Sequence, residues 1–263
     1  MLVAEPVENM ILSSELKSLN VVFILEQETM PYLPPGQRES ELFPRFGLPQ
    51  YANRFPEDIH KVGFSIGGDV DDIELTDELS TLPRKSQVSD FHCVTTWSKL
   101  NLNWSGYSFR DFYNTLIRPK TSRDITFVVL KAQDGYKTNL PLVDLMNNNV
   151  LLADQLYNLP LTIDHGAPMR IVAPDHYGYK NLKHIKRIEF YTEKKKVKQG
   201  LLSFMDHPRA RVSFEERASI GLGFLFRWLY KFGIKGTIKD FEKATKAYKA
   251  RMEKKAESNK LKT

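Results

Sequence analysis

Asp164-His165-Gly166-Ala167-Pro168-Met169-Arg170-Ile171-Val172-Ala173-Pro174, followed closely by Tyr177-Gly178-Tyr179-Lys180-Asn181-Leu182-Lys183, is the most telling stretch of this chain. The apolar run from Met169 to Ala173 predicts a strand entered and left through Gly and Pro turns, with cations at both ends. Glycine lets backbone N–H groups approach an anion closely. Arg170 offers a rigid guanidinium fork and Lys183 a point charge, a pairing suited to a phosphate. Cationic turns are common, so this stretch alone leaves a phosphate site and an ordinary surface turn both open.

Strands surround it. Ile185 to Tyr191 reads as a further strand, and the β-branched run Asp124 to Leu130 as a buried one. Lys61 to Gly67 reads as a short strand, and Leu140 to Met146 and Leu151 to Ala153 are further apolar stretches. Leu75 to Leu82 reads as a short helix capped by Thr76. Ser108-Phe109-Arg110-Asp111 resembles a capping box, opening a helix that runs to about Ile117, before Pro119. Prolines 31, 34, 35, 44, 49 and 56 make the segment from about 30 to 58 an ordered loop or wrapping arm. Strands outnumber helices up to residue 200, and the helices are inserted irregularly, which predicts an α+β fold. Beyond residue 200 two amphipathic helices are expected, over Phe214–Ile234 and Asp240–Lys260, the second with Phe241, Ala244, Tyr248 and Met252 on one stripe. The expected organisation is a domain over residues 1–200 and a basic helical extension over 201–263.

The second informative segment is Asp90-Phe91-His92-Cys93-Val94-Thr95-Thr96-Trp97-Ser98, which holds the only cysteine among 263 residues. One cysteine excludes an intrachain disulfide and any multi-cysteine metal site. It leaves an inert core thiol, a nucleophile, or a single thiolate ligand to a metal whose other ligands come from elsewhere. His92 beside it suggests a Cys–His pair, but neighbours in a strand point to opposite faces, so His92 is expected to be structural. His60, His176, His184 and His207 are too scattered to specify a metal site.

Hydrophobic content of 41% and charged content of 27% are ordinary for a globular protein. The net charge of +6 is unevenly placed: residues 180–263 carry 23 Lys and Arg against 9 Asp and Glu. That basic third suits an anionic cofactor, an acidic partner or an anionic membrane surface, and equally a solvated lysine-rich helix. Nucleic acid is a disfavoured partner. Met1 to Met10 shows neither a basic region followed by an apolar run nor a twin arginine, so no export signal and a cytoplasmic location are expected. No stretch reaches the roughly 18 apolar residues of a membrane span.

Together, "DFHCVTTWS" and "HGAPMRIVAP…YGYKNLKHIKRIEF" resemble the sulfite oxidase superfamily of molybdopterin-dependent oxidoreductases, in family order from about Pro34 to Tyr191. The resemblance implies a mixed sulfite-oxidase-type molybdopterin-binding fold, followed here by a C-terminal helical extension. It implies a molybdenum–molybdopterin cofactor, with Cys93 as the thiolate ligand to molybdenum and the pterin dithiolene supplying the other sulfurs. His165 and Arg170 match the family's pterin-contacting positions, and Lys180, Asn181, Leu182 and Lys183 match the loop that holds the cofactor phosphate. Phe43-Pro44-Arg45-Phe46-Gly47-Leu48-Pro49 looks like the family's early F-x-R-x-x-L-P loop, implying cofactor contacts for Phe43 and Arg45. Tyr136, in Tyr136-Lys137-Thr138-Asn139-Leu140-Pro141-Leu142, resembles the tyrosine at the substrate face. A phenol there can donate a hydrogen bond to an oxygen as charge develops on it.

The chain departs from the family in several places. Val94-Thr95-Thr96-Trp97-Ser98 stands where sulfite oxidases proper carry an arginine-rich run, and looks closer to the bacterial molybdenum subunit that reduces methionine sulfoxide. That relative has asparagine where this chain has His165. Neither the family's immunoglobulin-like dimerisation domain nor a haem-attachment C-x-x-C-H is found. The expected activity is two-electron oxygen-atom transfer on a small S- or N-oxide or a sulfur oxyanion, with electrons exchanged with a separate protein. The C-terminal helices are expected to dock on that partner, an acidic protein or a membrane surface. The alternative from another class is a non-enzymatic pterin-binding module or a basic docking module. Substrate, redox direction, electron partner and oligomeric state are not specified by these residues.

Overall fold

The computed structural model describes residues 33–195, 197, 206–219, 227–228 and 234–260. The expected start of the chain, the junction near residue 200 and most of Phe214–Ile234 lie outside the described residues. From Pro34 onward the described residues belong to one compact unit.

Two mixed sheets form the body. The first is centred on β5 (Trp97–Ser108), which pairs with β1 (Arg38–Glu39), with β4 (Arg84–His92) and with β8 (Leu151–Leu156); β8 in turn pairs with β9 (Leu159–Pro160) and β10 (Arg170–Val172). The second runs in the order β3 (Ile73–Leu75), β2 (Phe64–Gly68), β11 (Ile185–Tyr191), β6 (Phe127–Ala132), β7 (Lys137–Pro141). β1 runs parallel to β5 and β11 parallel to β2, and the other pairs are antiparallel. The main core includes Phe64, Ile66, Phe112, Leu152, Ile171 and Ile188, drawn from both sheets and from the short helix α1 (Phe109–Phe112). A second short helix, α2, spans Leu142–Leu145, and the long α3 spans Ile234–Lys260. No helix among the described residues is long and apolar enough to cross a membrane.

The α+β expectation holds. Strands occur at or close to the predicted places around residues 64, 127, 151, 170 and 185. The Ser108 cap is as read: its Oγ accepts from Asp111 N at 3.3 Å, and the helix continues as a π-helical turn to Ile117. Three details differ. Leu75 ends a strand, and the turn after it is a 3-10 helix, Glu78–Thr81, with Asp77 rather than Thr76 at the cap position. Phe214 is not helical but sits in a turn, 66% exposed. Ala210 and Glu215 take φ of 56° and 51°, left-handed values that a right-handed helix excludes. Arg209–Asp144 and Arg211–Glu216 ion pairs hold that irregular path. The long hairpin β4–β5 is absent from the sequence-predicted elements, although Leu100, Leu102 and Trp104, all buried, alternate along β5 with the period of a strand.

Candidate active site

Cys93 stands where the β4–β5 hairpin turns. The last strand pair is His92 with Ser98, then Cys93 N donates to Trp97 O (2.8 Å) and Thr96 N to Cys93 O (3.1 Å), closing a tight turn with Thr96 at φ 79°. The turn throws the thiol into a cavity of about 420 Å³. Sγ lies 3.1 Å from Thr95 Oγ1, and burial pushes the thiol's pKa up, opposed by that hydroxyl and by the nearby charges of Arg217 and Lys183. His92 behaves as a structural residue. Its Nδ1 is 2.7 Å from Ser98 Oγ, and it lines a separate recess from the thiol.

Three loops complete the cavity, and they use the predicted residues in two distinct ways. Phe43, Arg45, Tyr136, Asn181, Leu182 and Lys183 line it together with Cys93. His165, Arg170 and Lys180 do not, and the reason is hydrogen bonding. Irregular loops leave backbone carbonyls without ladder partners, and buried ones must find donors. Arg170, fully buried, spends its guanidinium on the carbonyls of His165 (3.0 Å), Ile171 (3.3 Å) and Asn181 (3.3 Å). Burial alone pushes it down to about 9. Lys180, also fully buried, pairs with Asp206 (2.8 Å) and Asn139 (3.3 Å). Both brace the loop from behind its cavity-facing residues. The Asn181 side chain does the same, accepting from Ala173 N (2.7 Å) and donating to three carbonyls. Gly178 lets this loop press on β4, since a Cβ there would collide with the Phe91 ring.

Lys183 is different. Its Nζ donates to Asp164 O at 2.7 Å, and among the described residues it forms no ion pair with a carboxylate. Burial, then Arg170 and Arg45, push it down to about 7. Arg45, on the facing loop, holds that loop's shape through the carbonyls of Ala52 (2.8 Å) and Arg54 (2.7 Å) while its plane stacks on Phe55 and Phe241. His165 lies flat on Phe43, ring centroids 4.7 Å apart. Burial first, then the charges of Lys183 and Arg170, push it down to about 4, so it is neutral at pH 7. Tyr136 donates its hydroxyl to Tyr179 O at 2.9 Å.

These residues fit the cofactor that the resemblance implies. Among the described residues no group of three His, Cys, Asp or Glu side chains is placed to hold a metal. A metal at Cys93 therefore needs further ligands from a bound organic group. Lys183 is a half-buried amine at the cavity wall that, among the described residues, forms no ion pair with a carboxylate, although Asp134 lines the same cavity. The indole N–H of Trp97, which also lines the cavity, and His165 Nδ1 are buried without a hydrogen-bond partner among the described residues. A phosphate-bearing group with ring heteroatoms satisfies both needs.

One residue that sequence reasoning missed holds the thiol in place. Arg217, fully buried, donates to Val94 O (2.5 Å) and Pro35 O (3.3 Å) and lies over the Tyr177 ring. Apart from a longer 3.5 Å pairing with Glu215, its polar partners lie more than a hundred residues away in the chain, so no local pattern marks it. Arg217→Met should destabilise the chain by about 3 kcal/mol in denaturant unfolding, the scale for stripping a buried charged donor from its acceptors. It should also slow alkylation of Cys93 in cofactor-free protein, since one of the charges lowering the thiol's pKa is lost. Arg217→Lys should not restore stability, because an ammonium cannot reproduce the fork. A Met variant within about 0.5 kcal/mol of the parent would contradict this role.

A family model described as "Oxidoreductase molybdopterin binding domain" matches residues 52–199. Among curated proteins, the chain is 33% identical over 166 residues to the uncharacterized oxidoreductase YuiH of Bacillus subtilis, covering 61% of this chain and 80% of that one. It is 28% identical over 134 residues to the protein-methionine-sulfoxide reductase catalytic subunit MsrP of Campylobacter jejuni, covering 46% of this chain and 45% of that one. The corresponding subunit of Pseudomonas syringae pv. tomato is 25% identical over 174 residues, 56% and 51% of the two chains. The chain thus spans about half the length of these two reductase subunits. Among solved structures, the sulfane dehydrogenase SoxCD of Paracoccus pantotrophus aligns over 57% of this chain and 43% of its own, at 18% identity and a TM-score of 0.47, too slight a likeness to argue from.

Proposed function

The chain belongs to the oxidoreductase molybdopterin-binding domain family, and from that premise we propose that Cys93 ligates molybdenum and that the enzyme reduces a small S- or N-oxide, a sulfoxide first of all. The observation that carries the reading is the single thiol turned into a cavity that Lys183, which forms no ion pair with a carboxylate among the described residues, also lines. When bound, the cofactor supplies the two-electron redox chemistry and the site of oxygen-atom transfer. The residues of the chain supply the rest. Lys183 meets the cofactor phosphate, Trp97 N–H and Phe43 meet the ring system, and Arg170, Lys180 and Asn181 keep the loop in shape from behind. Tyr136 can turn its hydroxyl from Tyr179 O toward the substrate oxygen, donating a hydrogen bond as charge gathers there.

In the overall conversion a sulfoxide takes up two electrons and two protons, its sulfur–oxygen bond breaks, and a sulfide and one water are released. A separate redox protein delivers the electrons. Two things favour a sulfoxide over a sulfur oxyanion. The sulfoxide reductase subunits are among the relatives, and Phe46, Leu48, Pro49 and Trp97 give the cavity apolar walls suited to a substrate's carbon arms. The test is molybdenum analysis and pterin fluorescence on protein from a molybdate-fed host, then assays of dimethyl sulfoxide and trimethylamine N-oxide with a reduced viologen dye, and of sulfite with ferricyanide. About one molybdenum per chain and dye-driven sulfoxide reduction are expected. Protein free of both metal and pterin, from a host that loads a control molybdoenzyme, would sink the reading.

A further inference from the structure

Helix α3 lies beyond the span 52–199 that the family model matches, yet it builds part of the wall around Cys93. Ile234, Thr237 and Phe241 line the same cavity as the thiol. Their spacing sets them on one face of the helix. Phe241 is the anchor. It is 3% exposed, its ring stacks on Phe46 with centroids 6.5 Å apart, the Arg45 guanidinium lies 4.8 Å above it, and a Cβ on Gly47 would meet it at 3.4 Å. About two turns along, Tyr248 stacks on Phe55 at 4.2 Å, and Lys249 pairs with Asp164 at 3.1 Å. The helix is thereby fastened to the loop that carries Phe43 and Arg45 and to the residue before His165.

The side chains that α3 presents to the cavity carry no charge; the charged groups that line it, Lys183, Arg45, Asp134 and Asp206, all come from other segments. An anionic cofactor is drawn to Lys183, which leaves the uncharged surface of α3 for the substrate's carbon arms. Thr237 and Phe241 then bound the room beside Cys93.

We propose that α3 is a selectivity wall: Thr237 and Phe241 set the size of the substrate that reaches Cys93, admitting small uncharged oxides and turning away bulky ones. The term substrate rests on the reading of the site given above, while the wall itself does not. Neither residue is catalytic; both act by shape.

Cys93 is the chain's single cysteine, so it serves as a built-in probe. Full-length cofactor-free protein, from a host unable to make the pterin, is labelled with iodoacetamide and with the bulky N-pyrenylmaleimide. The ratio of the bulky to the small labelling rate should rise about tenfold in Phe241→Ala and fall about tenfold in Thr237→Trp, the scale on which pocket walls discriminate by size. In the loaded enzyme, kcat/KM for methyl phenyl sulfoxide relative to dimethyl sulfoxide should move the same way, and Phe241→Leu should recover most of the parent ratio. Labelling ratios unchanged in both variants, with native circular dichroism, overturn the proposal. Loss of pterin from Thr237→Trp without a change in its labelling ratio also overturns it, because it sets the cofactor rather than the substrate against the helix. If the chain takes up no molybdenum the proposed function fails, and the labelling ratios still decide the wall.

Discussion

Cys93→Ser should lower kcat by at least about a thousandfold, the scale on which a catalytic group is lost, while the fold survives. The thiolate is a soft, strongly donating ligand that a metal deprotonates outright, and a serine hydroxyl is neither soft nor readily ionised. The structural cost is small. Serine is nearly the same size, and its hydroxyl can bond Thr95 Oγ1, which already lies 3.1 Å from Sγ. Unfolding free energy of the cofactor-free protein should therefore change by less than about 1 kcal/mol. Pterin content should fall only in part, because Lys183, Trp97 and the loop braced by Arg170 are untouched. Turnover that persists in a pterin-loaded serine variant would remove Cys93 from the chemistry and return it to the status of a buried thiol. Circular dichroism and metal content on the same sample separate a dead site from an unfolded chain.

Lys183→Met should act in opposite directions on stability and on cofactor binding. In the cofactor-free chain the Lys183 ammonium is held near a pKa of about 7, against 10.5 for an ordinary lysine. The unfolded chain keeps that proton up to about pH 10.5, and the folded chain gives it up from about pH 7. Unfolding between these limits takes up a proton, so the stability of the cofactor-free protein should rise with pH through that window and be lowest below pH 7. Methionine fills similar space without a charge, so at pH 6 the variant should be more stable than the parent by about 2 kcal/mol and lose this pH dependence. The lost bond to Asp164 O subtracts from that gain. Cofactor retention should fall by about thirtyfold or more, since a charge-assisted bond to phosphate is lost. In the parent, retention should weaken as pH rises above about 7, because the neutral amine no longer attracts the anion. A variant that is less stable at pH 6 and still retains pterin would show that Lys183 braces the loop, as Lys180 does, and does not meet the cofactor.

These two residues illustrate how far the sequence reaches. The order of strands and irregularly inserted helices pointed to an α+β fold, while "DFHCVTTWS" and "HGAPMR…YGYKNLK" pointed to the cofactor class through their resemblance to a family, since the residue types alone left a core thiol and an ordinary cationic turn open. Strand runs such as Phe127–Ala132 were legible because burial on both faces writes itself as apolar sequence. The β4–β5 hairpin carries Lys, Ser and Asn along a half-exposed pair, so its pattern is weaker, although Leu100, Leu102 and Trp104 hold the alternation.

By itself, then, the sequence determined which chemical groups are present, and its likeness to a family implied the cofactor. Only the tertiary structure decided what each group does. Arg170, Lys180 and Lys183 look alike in sequence, but the first two are turned inward by carbonyls and carboxylates contributed by other segments, and only Lys183 reaches the cavity. Arg217 holds the turn of Cys93 from far along the chain. The stripe headed by Phe241 reads as a helix ready to pack on anything, and the fold sets it against Phe46 and Arg45 beside the thiol. Residue type is local information, whereas the direction and partners of a side chain are set by long-range packing and by the need of buried polar groups for partners.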